Sequence, residues 1–413
     1  MKIGLLSYHA VCNFGATLQI LSTCGYLRKH GHTPIIINWI PKDLEEGYNT
    51  HTPTVQYERQ QEFRSQLWEE TALCRVTEEI PTVIKENEID AIIIGSDAVC
   101  QHHTLLERIV FPCHKIIAIQ KSTSDRLFPN PFWGLWNNLL QHPIPVAIMS
   151  ASCQDSVYRY FSNKLCKKMA EQINSFNYVS VRDEWTQKMY RHVTKNKIVP
   201  PITPDPVFAF LPNAGDFLPS RENLRQKFGL PEKYFLFSFH NDKTVSQEWL
   251  DYFQRMAKSD NILCVSLPFS EKNSFGKLEH SIQLPLTPLE WFALIKYSSG
   301  YIGNNMHPII VSLHCGVPFF SFDNYGLKYL NGILSTDKSS KIKHILTQAG
   351  LLQERESCIS RNYHPLSADT VYKRIKEFPL EQSSHFSNLF YKHYLQMMEE
   401  IMNSLTLNNQ GIS

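Results

Sequence analysis

The opening rhythm of the chain constrains its fold before anything else does. KIGLLSY (2–8) is a short apolar run, ATLQILSTCGYLRKHG (16–31) spaces its apolar residues as a helix does, and TPIIINWI (33–40) is a second apolar run. Strand, helix and strand in that order form a crossover unit, which sets the two strands parallel and side by side. A parallel sheet is covered on both faces, so its strands read as unbroken apolar runs rather than alternating ones. The same signature returns at IDAIIIGSD (89–97) and PVAIMSAS (145–152). YVSVRDEWTQKMYRH (178–192) then reads as strand, turn and helix, with Asp183 as the helix cap.

A second series begins at KYFLFSFH (233–240) and NILCVSLPF (261–269). TPLEWFALIKYSSG (287–300) predicts a helix with Thr287 as N-cap, Pro288 in the first turn and Glu290 closing a capping box. YIGNNMHPIIVSLHCGVPFFSFD (301–323) reads as strand, loop, helix, glycine stop and strand. Between the two series the proline-dense IVPPITPDPVFAFLPNAG (198–215) predicts a stiff connector, with a domain boundary near 212. Residues 41–88 read as a polar, partly helical excursion, and 98–143 as a long loop or insertion. In the tail, Phe386, Leu389, Phe390, Tyr394, Met397, Ile401 and Leu405 share roughly one helical face that predicts packing back onto the core. A partner or membrane surface is the alternative use of that face. The fold class expected is α/β, two Rossmann-like parallel-sheet domains facing a cleft, followed by a C-terminal helical segment. The expected domains are 1–212, 213–345 and 346–413.

Charge and cysteine usage exclude some functions. With 41 Lys+Arg against 39 Asp+Glu the net charge is +2, no footprint for nucleic acid. No apolar run approaches the ~18 residues of a spanning helix, and the start is too short an apolar run for a signal peptide. The ten cysteines are scattered with no C-x-x-C pair, which predicts free thiols and a cytoplasmic protein.

Candidate chemistry sits where strands end, because ligands of open parallel sheets bind there. Pro308 and Gly316 bracket one short helix, so His307 stands at a helix N-terminus, where backbone N–H groups and the dipole favour an anion. An imidazole there can hold or deliver a proton near neutral pH, or it can simply bond to backbone as a cap-region residue. His314 lies two turns on, ~10 Å away, too far for both to bind one metal ion. No metal site is expected, since no other ligand spacing appears. The loop SYHAVCNFGAT (7–17) brings Asn13 and Gly15 to the end of the first strand without a dinucleotide fingerprint. Gly15 there either admits a ligand or serves a tight turn. Ser96 and Asp97 end a buried strand, where Asp97 can take a hydroxyl proton or cap a turn. Arg182 suits a carboxylate or phosphate, or else pairs with Asp183 or Glu184. His240 to Lys243 end the first strand of the second series.

Taken in order, GLLSYHAVCNFGATLQ (4–19), IIIGSDAV (92–99), PFWG (131–134), AIMSASC (147–153), VSVRDEWT (179–186), PDPVF (204–208) and IGNNMHPIIVSLHCGVPFFSFDNYGLK (302–328) resemble the polysaccharide pyruvyl transferase family. The resemblance implies a glycosyltransferase-B-like (GT-B-like) pair of domains, 1–212 on the acceptor side and 213–345 on the donor side. It implies transfer of the enolpyruvyl unit of phosphoenolpyruvate, a co-substrate rather than a cofactor, onto two hydroxyls of a sugar. The product would be a cyclic ketal in surface polysaccharide biosynthesis. By the same resemblance His307 and Arg182 are catalytic, and Asp97 orients or deprotonates an acceptor hydroxyl. Asn13, Gly15 and Ser96 complete the acceptor side. Two departures stand out. Asn305 occupies a position where the family often has Arg, and Ala98, Val99 and Cys100 replace a Gln-x-Trp element. With a neutral amide at 305, the donor falls to Asn305 and His307 with Lys243, Lys328 or Arg182, or the donor differs. The implied partner is a sugar acceptor, free, nucleotide-linked or lipid-linked, which leaves peripheral membrane contact open. Two other readings fit the same fold: a nucleotide-sugar glycosyltransferase, and a family member that binds sugar with impaired catalysis.

Overall fold

A computed structural model describes residues 1–113, 116–329 and 334–406. Its first sheet contains β1 (Lys2–Leu6), β2 (Thr33–Ile36), β3 (Ala91–Asp97), β4 (Val146–Ala151) and β5 (Tyr178–Val181), ordered β2-β1-β3-β4-β5. The second contains β6 (Tyr234–Ser238), β7 (Leu263–Ser266), β8 (His280–Ser281), β9 (Gly300–Gly303), β10 (Phe319–Asp323) and β11 (Arg355–Ser357), ordered β8-β7-β6-β9-β10-β11. All pairings in both sheets are parallel. The expected strands are present but shorter than their apolar runs, because each run continues into the loop at the strand's carboxyl end.

The helices that position the site are α1 (Phe14–Lys29), α2 (Thr54–Leu67), α3 (Glu184–Val193), α4 (Phe210–Ala214), α5 (Pro288–Lys296), α6 (Met306–Cys315), α7 (Lys341–Gln348) and α8 (Leu380–Thr406). The first starts two residues before its apolar period does, since Asn13 caps it by accepting from Gly15 and Ala16 N–H at 3.0 and 3.3 Å. The Thr287–Glu290 capping box is formed. Gly316 ends α6 at φ 66, a left-handed conformation.

Three expectations change. The proline-dense connector is no exposed strut: Val207, Phe208, Ala209 and Phe210 are fully buried, with Phe210 packed on Phe292 of α5. The apolar VFAF run inside the segment outweighs its prolines. The second domain continues past residue 345, because β11 pairs with β10 and the helix Ala368–Lys376 buries Val371 and Ile375 against Phe235 and Phe320. Within 98–143 the described residues form a short helix, 3₁₀ turns and a two-stranded pair, and Phe132, Trp133 and Trp136 are buried in the core of the first sheet.

Helix α8 crosses back to the first sheet. Phe386, Tyr394, Met397, Ile401 and Leu405 are buried there, whereas Leu389 of the expected face is 41% exposed. One apolar core runs through α1, α5, α6 and α8, with Phe14 against Trp291 at 5.5 Å between ring centres. Residues of both sheets therefore share one buried body, and the carboxyl ends of β3 and β5 come against the start of α6. Among the described residues no helix is long and apolar enough to cross a membrane.

Candidate active site

The register of the first sheet aligns Asp97 with Ala151 and Ala151 with Val181, so three strand ends finish level. Asp97 adopts φ 87 after Gly95 at φ 111, where a Cβ would lie 2.4 Å from the Met149 carbonyl oxygen. That turn demands glycine at 95. Arg182, one residue past β5, meets the Asp97 carboxylate: Nη2 donates to its Oδ1 at 3.3 Å, and Nη1 donates to Asp205 Oδ2 at 2.6 Å. Arg182 is 5% exposed and Asp205 1%. Neither Asp183 nor Glu184 is the partner. Asp183 caps α3 by accepting from Thr186 N–H, and Glu184 pairs with Lys188.

Asp205 ties this pair to the second domain. Its Oδ2 also accepts from Gln19 Nε2 at 2.6 Å, and Gln19 Nε2 lies 3.5 Å from His307 Nε2. Gly15, one turn earlier on α1, lies under the imidazole; a Cβ there would stand 2.1 Å from His307 Cγ. The glycine is needed for close approach of the ring, not for a turn. His307 is the second residue of α6, behind Asn305, whose side chain makes no bond to the first turn and accepts instead from His240 Nε2 at 3.2 Å. Pro308 has no N–H, so the first-turn donors outside the ladder are those of Met306 and His307. Gln19 Oε1 and Arg182 Nε are buried without a partner among the described residues.

The electrostatics follow from burial between these charges. The His307 imidazole is held below its ordinary value by burial, with Asp205 and Asp97 pulling upward and Arg182 and Lys341 pushing down. Burial acts to raise Asp97, yet the charges of Arg182, Lys341 and His307 bring its carboxyl below the usual range. Lys341, the first residue of α7, is only 6% exposed, and burial followed by the charge of Arg182 lowers its ammonium.

The structure thus brings together Gly15, Asp97, Arg182 and His307 from the sequence candidates, and adds Gln19, Asp205 and Lys341. Asn13 is used as a helix cap. Ser96 is buried, with its hydroxyl donating to the Ser150 carbonyl oxygen. Lys243 is exposed in the loop after β6. Lys328 lies in a short strand, and its side chain is outside the described residues. His314 accepts from Leu211 N–H at 3.1 Å, a link between α4 and α6. Asp205 lay within the PDPVF stretch, where a carboxylate between two prolines of the connector was the available signal. Nothing local marked Gln19 or Lys341. Among the described residues no three His, Cys, Asp or Glu side chains group as metal ligands.

Residues 13–325 match the sequence model of the family described as polysaccharide pyruvyl transferase. No curated protein matches the sequence. Among solved structures, the UDP-GlcNAc 2-epimerase from Neisseria meningitidis, bound to UDP-GlcNAc, superposes with a TM-score of 0.54 at 11% identity, over 98% of this chain and 100% of that one. The UDP-N-acetylglucosamine 2-epimerase from Rickettsia bellii gives 0.50 at 10% identity, over 100% and 99%. At such identity the likeness is one of fold, the two-domain GT-B arrangement.

Proposed function

The chain belongs to the polysaccharide pyruvyl transferase family, and we propose that it moves the enolpyruvyl group of phosphoenolpyruvate onto a sugar, closing a cyclic pyruvate ketal for a surface polysaccharide. The observation that carries this reading is the seat of His307: a helix N-terminus, against the Gly15 backbone, with Asp97 and Arg182 at the facing strand ends. The reaction needs a proton carrier between an anion site and a hydroxyl site, and that seat offers one.

In the balanced reaction the enol CH₂ takes a proton and becomes methyl. The bond from the central carbon to the phosphate oxygen breaks with its electron pair on phosphate. Two sugar oxygens bond to that carbon, and their two protons end on the methyl and on the phosphate. His307, held low by burial in the free protein, gains a proton when the anionic donor binds, gives it to the CH₂ carbon and takes one back from the first attacking hydroxyl. Asp97, partly exposed and kept ionised by Arg182, orients the acceptor hydroxyls. The N-terminus of α6 steadies the departing phosphate. Arg182 fixes the two carboxylates, each of which accepts from one of its Nη atoms.

The test is phosphate release from phosphoenolpyruvate with a panel of diol sugars, with mass spectrometry of the product. His307→Ala should abolish turnover while the melting temperature stays near that of the wild type. Release of a nucleotide from a nucleotide sugar, with no use of phosphoenolpyruvate, would replace this reading with a glycosyltransferase. Sugar binding with no product from any donor would replace it with a non-catalytic role.

A further inference from the structure

Lys341 lies beyond the family-matched residues 13–325, yet it reaches the same site. It opens α7 behind the cap Ser340, whose Oγ accepts from Lys343 N–H at 3.0 Å. It is more than nine-tenths buried. Its ammonium makes no hydrogen bond or ion pair among the described residues; the charges that reach it are those of Arg182, Asp97, Asp183 and Asp155. Each of those carboxylates has other work. Asp97 holds Arg182, Asp183 caps α3, and Asp155 accepts from Ser339 Oγ at 2.8 Å. An ammonium on a side chain so largely buried, with no bonded partner, is partly desolvated at a cost that an anionic ligand would offset.

The surroundings indicate which. Lys341 faces a cavity of about 10 Å³ that it lines with Arg182, Asp205 and Met306. That is room for roughly one water molecule, at the start of α6. Arg182 commits one hydrogen of each Nη to Asp205 and Asp97, and its Nε, without a partner among the described residues, adds to the positive charge there. Asn305 is neutral, and its amide oxygen is turned to His240. Asn305 and His307 are partly exposed, so the α6 N-terminus is reached by solvent. A flexible four-carbon stem lets the ammonium advance to a ligand held there.

We propose that Lys341 and the N-terminus of α6 form the seat of the substrate's anionic group, a phosphate or carboxylate, with Lys341 supplying the charge that position 305 lacks. The identity of that anion as phosphoenolpyruvate rests on the pyruvyl-transfer reading; the need for an anion does not. The ammonium is then paired only in the complex, and folding of the free protein gains nothing from it.

The experiment is calorimetric titration of the full chain with inorganic phosphate and with phosphoenolpyruvate, on the wild type, Lys341→Met and Lys341→Arg. Melting curves without ligand and donor and acceptor KM values accompany it. In Lys341→Met both anions should lose at least tenfold in affinity and donor KM should rise alike, with acceptor KM unchanged. Lys341→Arg should recover most of the binding. The unliganded melting temperature of Lys341→Met should equal or exceed the wild type's, because an unpaired buried charge is gone. A Lys341→Met protein that melts several degrees lower and binds both anions normally would make Lys341 a counter-charge for the acids and overturn the proposal. So would a wild type that binds neither anion. Phosphate binding that depends on Lys341, with no pyruvylated product from the wild type, would retire the pyruvyl-transfer reading and keep the seat. Normal pyruvyl transfer at full donor affinity in Lys341→Met would do the reverse.

Discussion

Gly15→Ala separates a local from a tertiary reading of one residue. Gly15 sits in the first turn of α1, and glycine within a helix costs about 1 kcal/mol relative to alanine. Helix propensity alone therefore predicts a small gain in stability. The site predicts the opposite, because the new Cβ would stand 2.1 Å from His307 Cγ and 2.2 Å from Nδ1, while ordinary contact begins at 3.4 Å. Taking 2.1 from 3.4, the imidazole has to retreat by about 1.3 Å in a packed interior that yields little. Misplacing a reacting group by about 1 Å can cost on the order of 10²-fold in rate, or about 2.7 kcal/mol of barrier. On the pyruvyl-transfer reading, phosphate release from phosphoenolpyruvate should therefore fall about 10²-fold. The melting temperature should drop too, as α1 and α6 are pushed apart. Gly15→Ala combined with His307→Ala removes the ring that clashes, so the pair should be at least as stable as His307→Ala alone. Gly15→Ala with wild-type turnover and a raised melting temperature would refute the argument, leaving Gly15 an ordinary helix residue.

Asp205→Ala strands a buried guanidinium and frees Gln19, and breaking a buried pair from one side costs about 3–5 kcal/mol. Denaturant titration should show that loss, and a change under about 1 kcal/mol would mean that water or Asp97 replaces the carboxylate. His314 has its imidazole brought down to about 4, chiefly by burial and then by the charge of Lys296. The unfolded chain protonates it first, so its contribution is complete above pH ~6.5 and is lost as pH falls toward 4, at about 1.4 kcal/mol per pH unit. In His314→Gln, which keeps an acceptor for Leu211 N–H, the fall in stability between pH 6.5 and 4 should be shallower; an unchanged slope would refute the assignment. Ile401→Ala, at a fully buried position of α8, should cost about 2–5 kcal/mol by chemical denaturation. Leu389→Ala on the exposed side should stay within about 0.5 kcal/mol, and equal losses at the two positions would contradict the seating of the helix.

What the sequence made legible divides along physical lines. The core strands could be read because burial on both faces demands continuous apolar runs such as Ile92–Ile94 and Tyr234–Phe237. The ends of α5 and α6 could be read because Thr287, Glu290 and Gly316 act within a few residues of themselves. Partner choice could not, since it is set by residues distant in sequence. Arg182 has two acids beside it in sequence and pairs with neither, because helix geometry claims one for the cap and an i+4 lysine claims the other. Prolines at 198–215 suggested a strut, but the apolar residues between them had somewhere to go once α1 and α6 offered a face. The three-residue β11 has no apolar signature at all. It is fixed by Arg355 donating to Asp323 Oδ2 at 2.6 Å and to Asp337 Oδ2 at 2.9 Å.

The acids and cations of the site divide in the same way. Arg182, Asp97 and Asp205 satisfy one another on folding, so their charges are spent on holding three strand and helix ends in register. His307 and Lys341 are left over, and the same burial and the same Arg182 disfavour a proton on each. An incoming anion reverses both effects at once, favouring the ammonium and drawing a proton to the imidazole. Folding builds the frame and leaves the two titratable groups poised. On the pyruvyl-transfer reading, it is the donor's own charge that turns His307 into the acid the enol carbon requires.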